Sequence, residues 1–142
     1  NINIECYGYG NFQKFRRIKL KKNLKKISFN KFNPNLIKII KNYDILLHLS
    51  KREGLPVSLM QSLSEGLPVI CYNIRGNNDL IKNNINGLFV SSYKEVIGKI
   101  LFINLNKNFF HKLRNNAVKS IDINFSKDQI NKKIFKILNN ID

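Results

Sequence analysis

Glu53 stands beside Gly54 in a charged loop, Ser50-Lys51-Arg52-Glu53-Gly54-Leu55, which follows an apolar run (Ile45 to Leu49) and leads into Pro56. An amphipathic run then continues to Glu65 and stops at Gly66. A strand tip, a glycine-containing loop and a helix opened by proline make a site for an anionic ligand. The first N–H groups and the positive dipole end of the helix face outward there. A carboxylate beside such a site accepts hydrogen bonds from hydroxyl groups. The chemistry implied is recognition of a ligand that carries both phosphate and hydroxyls. No metal-ligand spacing exists, since His48 and His111 are far apart and neither has a Cys or His nearby. His48 lies in a strand and reads as packed rather than catalytic. Cys6 and Cys71 fall within apolar strand-like runs and read as buried, reduced thiols.

The elements that must position this loop alternate between strand and helix. Asn1–Tyr7, with Ile2, Ile4 and Cys6 in alternation, predicts a strand broken by Gly8-Tyr9-Gly10. Phe12–Leu24 follows as a helix, with Phe12, Phe15 and Ile18 inward and a basic opposite face that includes Lys14, Arg16, Arg17 and Lys19. Ile27–Asn30 is a short strand, and Pro34 opens a helix to about Asn42. Asp44–Leu49 is nearly all apolar, as in a central parallel strand covered on both faces. Pro56–Glu65 is helix, Pro68–Tyr72 strand, Asn73–Asn77 loop, Asn78–Lys82 a short helix and Leu88–Val90 the last strand. Helices are expected over Ser92–Asn104, Lys107–Ser120 and Ser126–Asn139.

Five strands alternating with helices predict an α/β fold, a doubly wound parallel sheet of Rossmann-like type with helices on both faces and a helical carboxy-terminal tail. Ligands of such sheets bind outside the carboxyl ends of the strands. The loops to watch are therefore those holding Gly8 and Gly10, Lys31 and Phe32, Glu53 and Gly54, and Arg75 and Gly76, all expected on one rim.

The totals bound the rest. At 142 residues and 43% hydrophobic, the chain is long and apolar enough for one domain with its own core. No apolar run approaches the ~20 residues needed to span a bilayer. Asn1 opens directly into a strand pattern with no targeting segment, so a chain truncated on its amino-terminal side is expected. The net charge of +16 rests on 25 basic residues, of which only Arg16, Arg17, Arg52, Arg75 and Arg114 are Arg. With Lys, Asn and Ile all abundant, that charge reads first as solvated faces shaped by an A/T-rich genome. A second reading is attraction to an anionic membrane surface, through the basic stretch Lys14–Lys26. Nucleic acid is not expected as a partner, for want of a recognised motif or an aromatic stacking platform.

At Ser50-Lys-Arg-Glu-Gly-Leu-Pro, Leu59-Met-Gln-Ser-Leu and Glu65-Gly-Leu-Pro-Val-Ile, the chain resembles the donor-binding motif of family 4 (group 1) glycosyltransferases. Ile74-Arg-Gly-Asn-Asn-Asp-Leu-Ile, Asn86-Gly-Leu-Phe-Val and the earlier Gly8-Tyr-Gly match further landmarks in order, so the resemblance runs from about Ile2 to Val90. It implies the carboxy-terminal, donor-binding half of a retaining, metal-independent GT-B enzyme of bacterial polysaccharide or glycoconjugate biosynthesis. The cofactor expectation is none; the substrate is a nucleotide-sugar donor, a UDP-sugar first among candidates. By the resemblance, Glu53 meets donor-sugar hydroxyls, while the amides of Gly54 and Leu55 face sugar and diphosphate. Gln61 occupies the second acidic position of the motif, beside the ribose, and Lys31 and Phe32 border the base. Gly8, Gly10, Arg75 and Gly76 complete the donor-binding set, and Asp79 stands where the family often carries Glu or merely caps the short helix. A glycan or lipid-linked acceptor is expected on a domain that is missing, in a cytoplasmic protein that touches the inner face of the membrane peripherally.

Two departures qualify the resemblance. Gln61 replaces an acid, and the family's upstream diphosphate-binding Arg and Lys have no counterpart in these residues. Because stabilising the departing diphosphate is a large catalytic term, no catalytic residue is assigned and the isolated chain is expected to be inactive or nearly so. Lys51, Arg52 and Arg75 are weak substitutes. A non-catalytic remnant or nucleotide-sugar-binding module is the alternative.

Overall fold

A computed structural model describes residues 2–10, 13, 14, 17 and 26–139. The chain divides into two compact units, Asn1–Leu36 and Ile37–Asp142. All five predicted strands are present, and every pairing among them is parallel. They are hydrogen-bonded as a pair and as a triplet.

In the first unit β1 (Ile4–Gly8) pairs with β2 (Ile27–Lys31), in a register that sets Ile4 against Ile27 and Gly8 against Lys31. A parallel pair needs a long crossover, usually a helix. The predicted helix Phe12–Leu24 lies outside the described residues apart from Gln13, Lys14 and Arg17, which are helical and exposed. Cys6, expected to be buried, is only half-buried, because its strand belongs to a two-stranded sheet.

In the second unit the order is β3 (Leu46–His48), β4 (Val69–Tyr72), β5 (Gly87–Val90). Here the structure corrects the reading of Asp44–Leu49 as the buried central strand. β3 is three residues long and half-buried, whereas Val69, Ile70 and Cys71 of β4 are fully buried between two neighbours. An apolar run reports burial of side chains, not which ladder runs through the middle. Gly87 is required by close approach, since a Cβ there would lie 2.6 Å from the Val69 carbonyl oxygen.

Helix α1 (Leu36–Ile40) starts two residues after Pro34, because Asn33 first makes a turn in which its side chain accepts from the Asn35 N–H at 2.9 Å. Helix α2 (Val57–Ser64) carries Leu59 and Leu63 into the core and ends in a Schellman motif. There Gly66, at φ 73°, donates to the Leu63 carbonyl and Leu67 donates to that of Ser62. Helix α3 is Asn77–Leu80. A 3₁₀ turn (Tyr93–Glu95) leads into α4 (Val96–Leu105), followed by α5 (Lys107–Phe125) and α6 (Lys127–Leu138). α5 runs five residues past its predicted end at Ser120, where Ile121 and Phe125 pack against the core of Leu59, Leu63, Val69, Cys71, Leu80, Ile81 and Ala117. Tertiary burial there outweighs the weak helix preference of Ile and Asp. Among the described residues no helix is long and apolar enough to cross a membrane.

Candidate functional site

The loop between β3 and α2 holds Glu53, half-buried, with Gly54 and Leu55 exposed beside it. Pro56 is the N-cap of α2 rather than its first helical residue, with φ −73° and ψ 112°. It has no N–H to satisfy, and its carbonyl accepts from the Leu59 N–H at 3.1 Å. No side chain caps the helix start. Uncapped amides at a dipole's positive end suit an anion.

The loop after β4 comes to meet this one. Gly76 adopts φ 84°, and a Cβ there would overlap the Gly54 carbonyl group and lie 3.2 Å from the Glu53 oxygen. Only glycine permits both the conformation and the approach. Backbone therefore packs on backbone, and the two halves of the sequence motif become one surface. Asn77 ties the loop down by donating to the Tyr72 carbonyl at 3.0 Å. Arg75, Lys51 and Arg52 point into solvent around it. Asp79 is exposed in the first turn of α3, whose N-cap is Gly76 with no side-chain cap, so Asp79 does not cap by its side chain. Gln61 is exposed on the solvent face of α2, opposite the buried Leu59, Ser62 and Leu63.

His48 is packed, as its place in a strand predicts, and its ring faces the loop carboxylate. Its Nε2 lies 3.1 Å from Glu53 Oε1, with the side chains 15% and 26% exposed. The sequence signal was a histidine at a strand end five residues before the loop carboxylate. Cys71, opposite His48 in register, has its thiol pushed up to about 12 by burial, so no thiolate nucleophile is available there. Burial raises the Cys6 thiol as well.

The first unit gathers the other predicted residues. Gly8, Gly10, Lys31 and Phe32 line a hollow of about 280 Å³ together with Tyr9, to which no sequence motif assigns a role. Tyr9 and Phe32 stack with centroids 4.4 Å apart and planes 16° from parallel. They are 82% and 46% exposed, so an aromatic platform exists where the sequence suggested none. A stacked aromatic pair accepts the face of a planar base. Gly10, at φ 134°, allows the turn that carries Tyr9. Among the described residues no group of three or more His, Cys, Asp or Glu could hold a metal ion.

The family model described as glycosyl transferases group 1 matches residues 1–120. The UDP-Gal:alpha-D-GlcNAc-diphosphoundecaprenol alpha-1,3-galactosyltransferase of Escherichia coli is 32% identical over 114 residues, covering 72% of this chain and 29% of that protein. The GtfA subunit of the UDP-N-acetylglucosamine–peptide N-acetylglucosaminyltransferase of Streptococcus agalactiae is 30% identical over 95 residues, covering 63% of this chain and 18% of the relative. The chain thus spans less than a third of either relative's length. Among solved structures, HepE of Anabaena in complex with UDP superposes with a TM-score of 0.88 at 17% identity, over 98% of this chain and 41% of that one. The pneumococcal O-GlcNAc transferase GtfA in complex with UDP and GlcNAc gives a TM-score of 0.78 at 22% identity, over 99% of this chain and 29% of that one. The fold is accordingly that of GT-B, Rossmann-like domains. On the extent of the family match and of the E. coli relative, this chain belongs to the group 1 glycosyltransferases.

Proposed function

We propose that the chain forms one donor-binding domain of a family 4 enzyme that is retaining and independent of metal. It binds a UDP-sugar, and the whole enzyme transfers the sugar to a glycan or lipid-linked acceptor in polysaccharide or glycoconjugate assembly. The observation that carries this reading is the seating of Gly76 on the Glu53–Gly54 backbone, which sets a carboxylate and the uncapped start of α2 in one surface. The diphosphate lies against the α2 amides, Glu53 accepts from sugar hydroxyls, and Gln61 accepts from the ribose. Within the first unit, the hollow of Gly8, Gly10, Lys31 and Phe32 suits a planar base. The acceptor attacks from the face that the diphosphate leaves and is held by a domain outside these 142 residues. The E. coli relative acts on a diphosphoundecaprenol-linked acceptor, which supports a lipid-linked substrate. The proposed location is cytoplasmic, at the inner face of the membrane.

Calorimetric titration of the chain with UDP and with UDP-glucose, UDP-galactose and UDP-GlcNAc tests this. Saturable binding is expected, with Glu53→Ala weakening the UDP-sugars by about tenfold and UDP little, as for loss of a hydrogen bond to a charged acceptor. A folded chain that binds none of them is not a donor-binding domain. Binding without turnover when the acceptor half is restored would favour the second reading, a module that keeps the site without catalysis, to which the replacement of an acid by Gln61 points.

A further inference from the structure

His48 closes β3, and the chain then loops out and returns so that Glu53 Oε1 stands 3.1 Å from the ring nitrogen. That nitrogen, Nε2, is sealed from solvent and has no aligned hydrogen-bond partner among the described residues. A strand end that needed only packing is better filled by an apolar side chain, since a buried polar atom without a partner is destabilising. A carboxylate can only accept, so a hydrogen bond between the two requires the proton on this nitrogen. The Cys71 thiol, the register partner of His48, stays neutral and offers no competing charge. The Glu53 main chain is packed against Gly76 and its carboxylate lies against the His48 ring, while a quarter of its side chain stays open to solvent.

We infer that His48 is a positioning residue of the sugar subsite: it holds one oxygen of the Glu53 carboxylate and leaves the other free to accept a hydroxyl of the donor hexose. This rests on the donor-binding reading above. A glutamate in an exposed loop explores many rotamers and loses that freedom when a ligand binds. A glutamate already held by His48 loses less, and the gain falls on ligands that reach the carboxylate. UDP-sugars reach it and UDP does not.

The test is a calorimetric cycle on the whole chain with UDP and UDP-galactose as probes, using His48→Phe, His48→Gln, Glu53→Gln and the double variant His48→Phe/Glu53→Gln. His48→Phe keeps a ring and removes the donor. It is expected to lower the advantage of UDP-galactose over UDP by about fivefold while UDP affinity stays within about twofold, the loss of one ordinary hydrogen bond. His48→Gln, which restores an N–H, should recover most of that advantage, and the double variant should be no worse than Glu53→Gln alone. A folded His48→Phe with an unchanged ratio overturns the inference, as does multiplication of the two single effects. Should His48→Phe fail to fold, His48→Leu is read in its place by the same criteria. If the unaltered chain binds neither probe, the donor-binding reading fails and the role of His48 falls with it. Binding with an unmoved ratio removes the role of His48 alone.

Discussion

At Glu53 the demands of folding and of ligand binding meet in one carboxylate, which is half-buried against His48 yet open to a ligand hydroxyl. Gln61 is the opposite case, an exposed neutral acceptor that no packing demand constrains. Charged acceptors strengthen a hydrogen bond from about 0.5–1.5 to about 1.5–3 kcal/mol. Gln61→Glu is therefore expected to tighten UDP and UDP-sugar binding alike by several-fold in calorimetry. Unchanged or weaker affinity would mean that Gln61 does not face the ribose. Cys71 gives a pH-linked outcome. Its folded value, about 12, lies above the ordinary 9.0. The unfolded chain loses this proton near pH 9 while the folded chain keeps it, so the linked stability is intact below pH 9 and is lost as pH rises toward 12. In denaturant melts from about pH 8 to about pH 11, Cys71→Ala is expected to flatten that part of the decline relative to the unaltered chain.

Two glycines decide how the elements join. Gly66 ends α2 at φ 73° with van der Waals room around it, the nearest side-chain atom being 3.5 Å from an added Cβ. Gly66→Ala is thus expected to cost only the left-handed strain, about 1–2 kcal/mol in a urea melt, with donor affinity unchanged. Gly76 has the same backbone demand and no room at all, because the Gly54 carbonyl occupies the place of its Cβ. Gly76→Ala should push the two loops apart, and the measurement is UDP-sugar affinity of a chain shown by circular dichroism to be folded. A loss of at least tenfold is expected, and an affinity like that of the unaltered chain would detach Gly76 from the site. The start of α2 was readable from Pro56 and its end from Gly66, since both are local backbone signals. The extra turns of α5 were not, because Ile121 and Phe125 become helical through the core they cover. Asn86 shows the same limit. It reads as half of an Asn-Gly turn, but it is fully buried and joins the turn to α5 by donating to Ser120 Oγ at 3.0 Å.

Over the whole molecule the net charge of +16 is carried mainly by lysines. Such a surface attracts anionic lipid at low salt and loses that attraction as ions screen it. Co-sedimentation with phosphatidylglycerol vesicles is expected at low ionic strength, with release at high salt and none with phosphatidylcholine. Binding to neither lipid would leave the charge as a solvated surface. By itself the sequence determined the parallel α/β class, the order of the five strands, and the loop in which Glu53 sits. Those follow from hydrophobic period and turn chemistry, which act over a few neighbouring residues. Tertiary structure alone decided that β4 is the middle of its sheet, that Tyr9 stacks on Phe32, that Gly76 rests on Gly54, and that His48 faces Glu53. The Gly76 and Tyr9 contacts each join residues roughly twenty apart in the chain. The facing of His48 and Glu53 depends on how one loop folds back over its own strand. Such contacts are set by the packing of one element on another, which local sequence patterns do not encode.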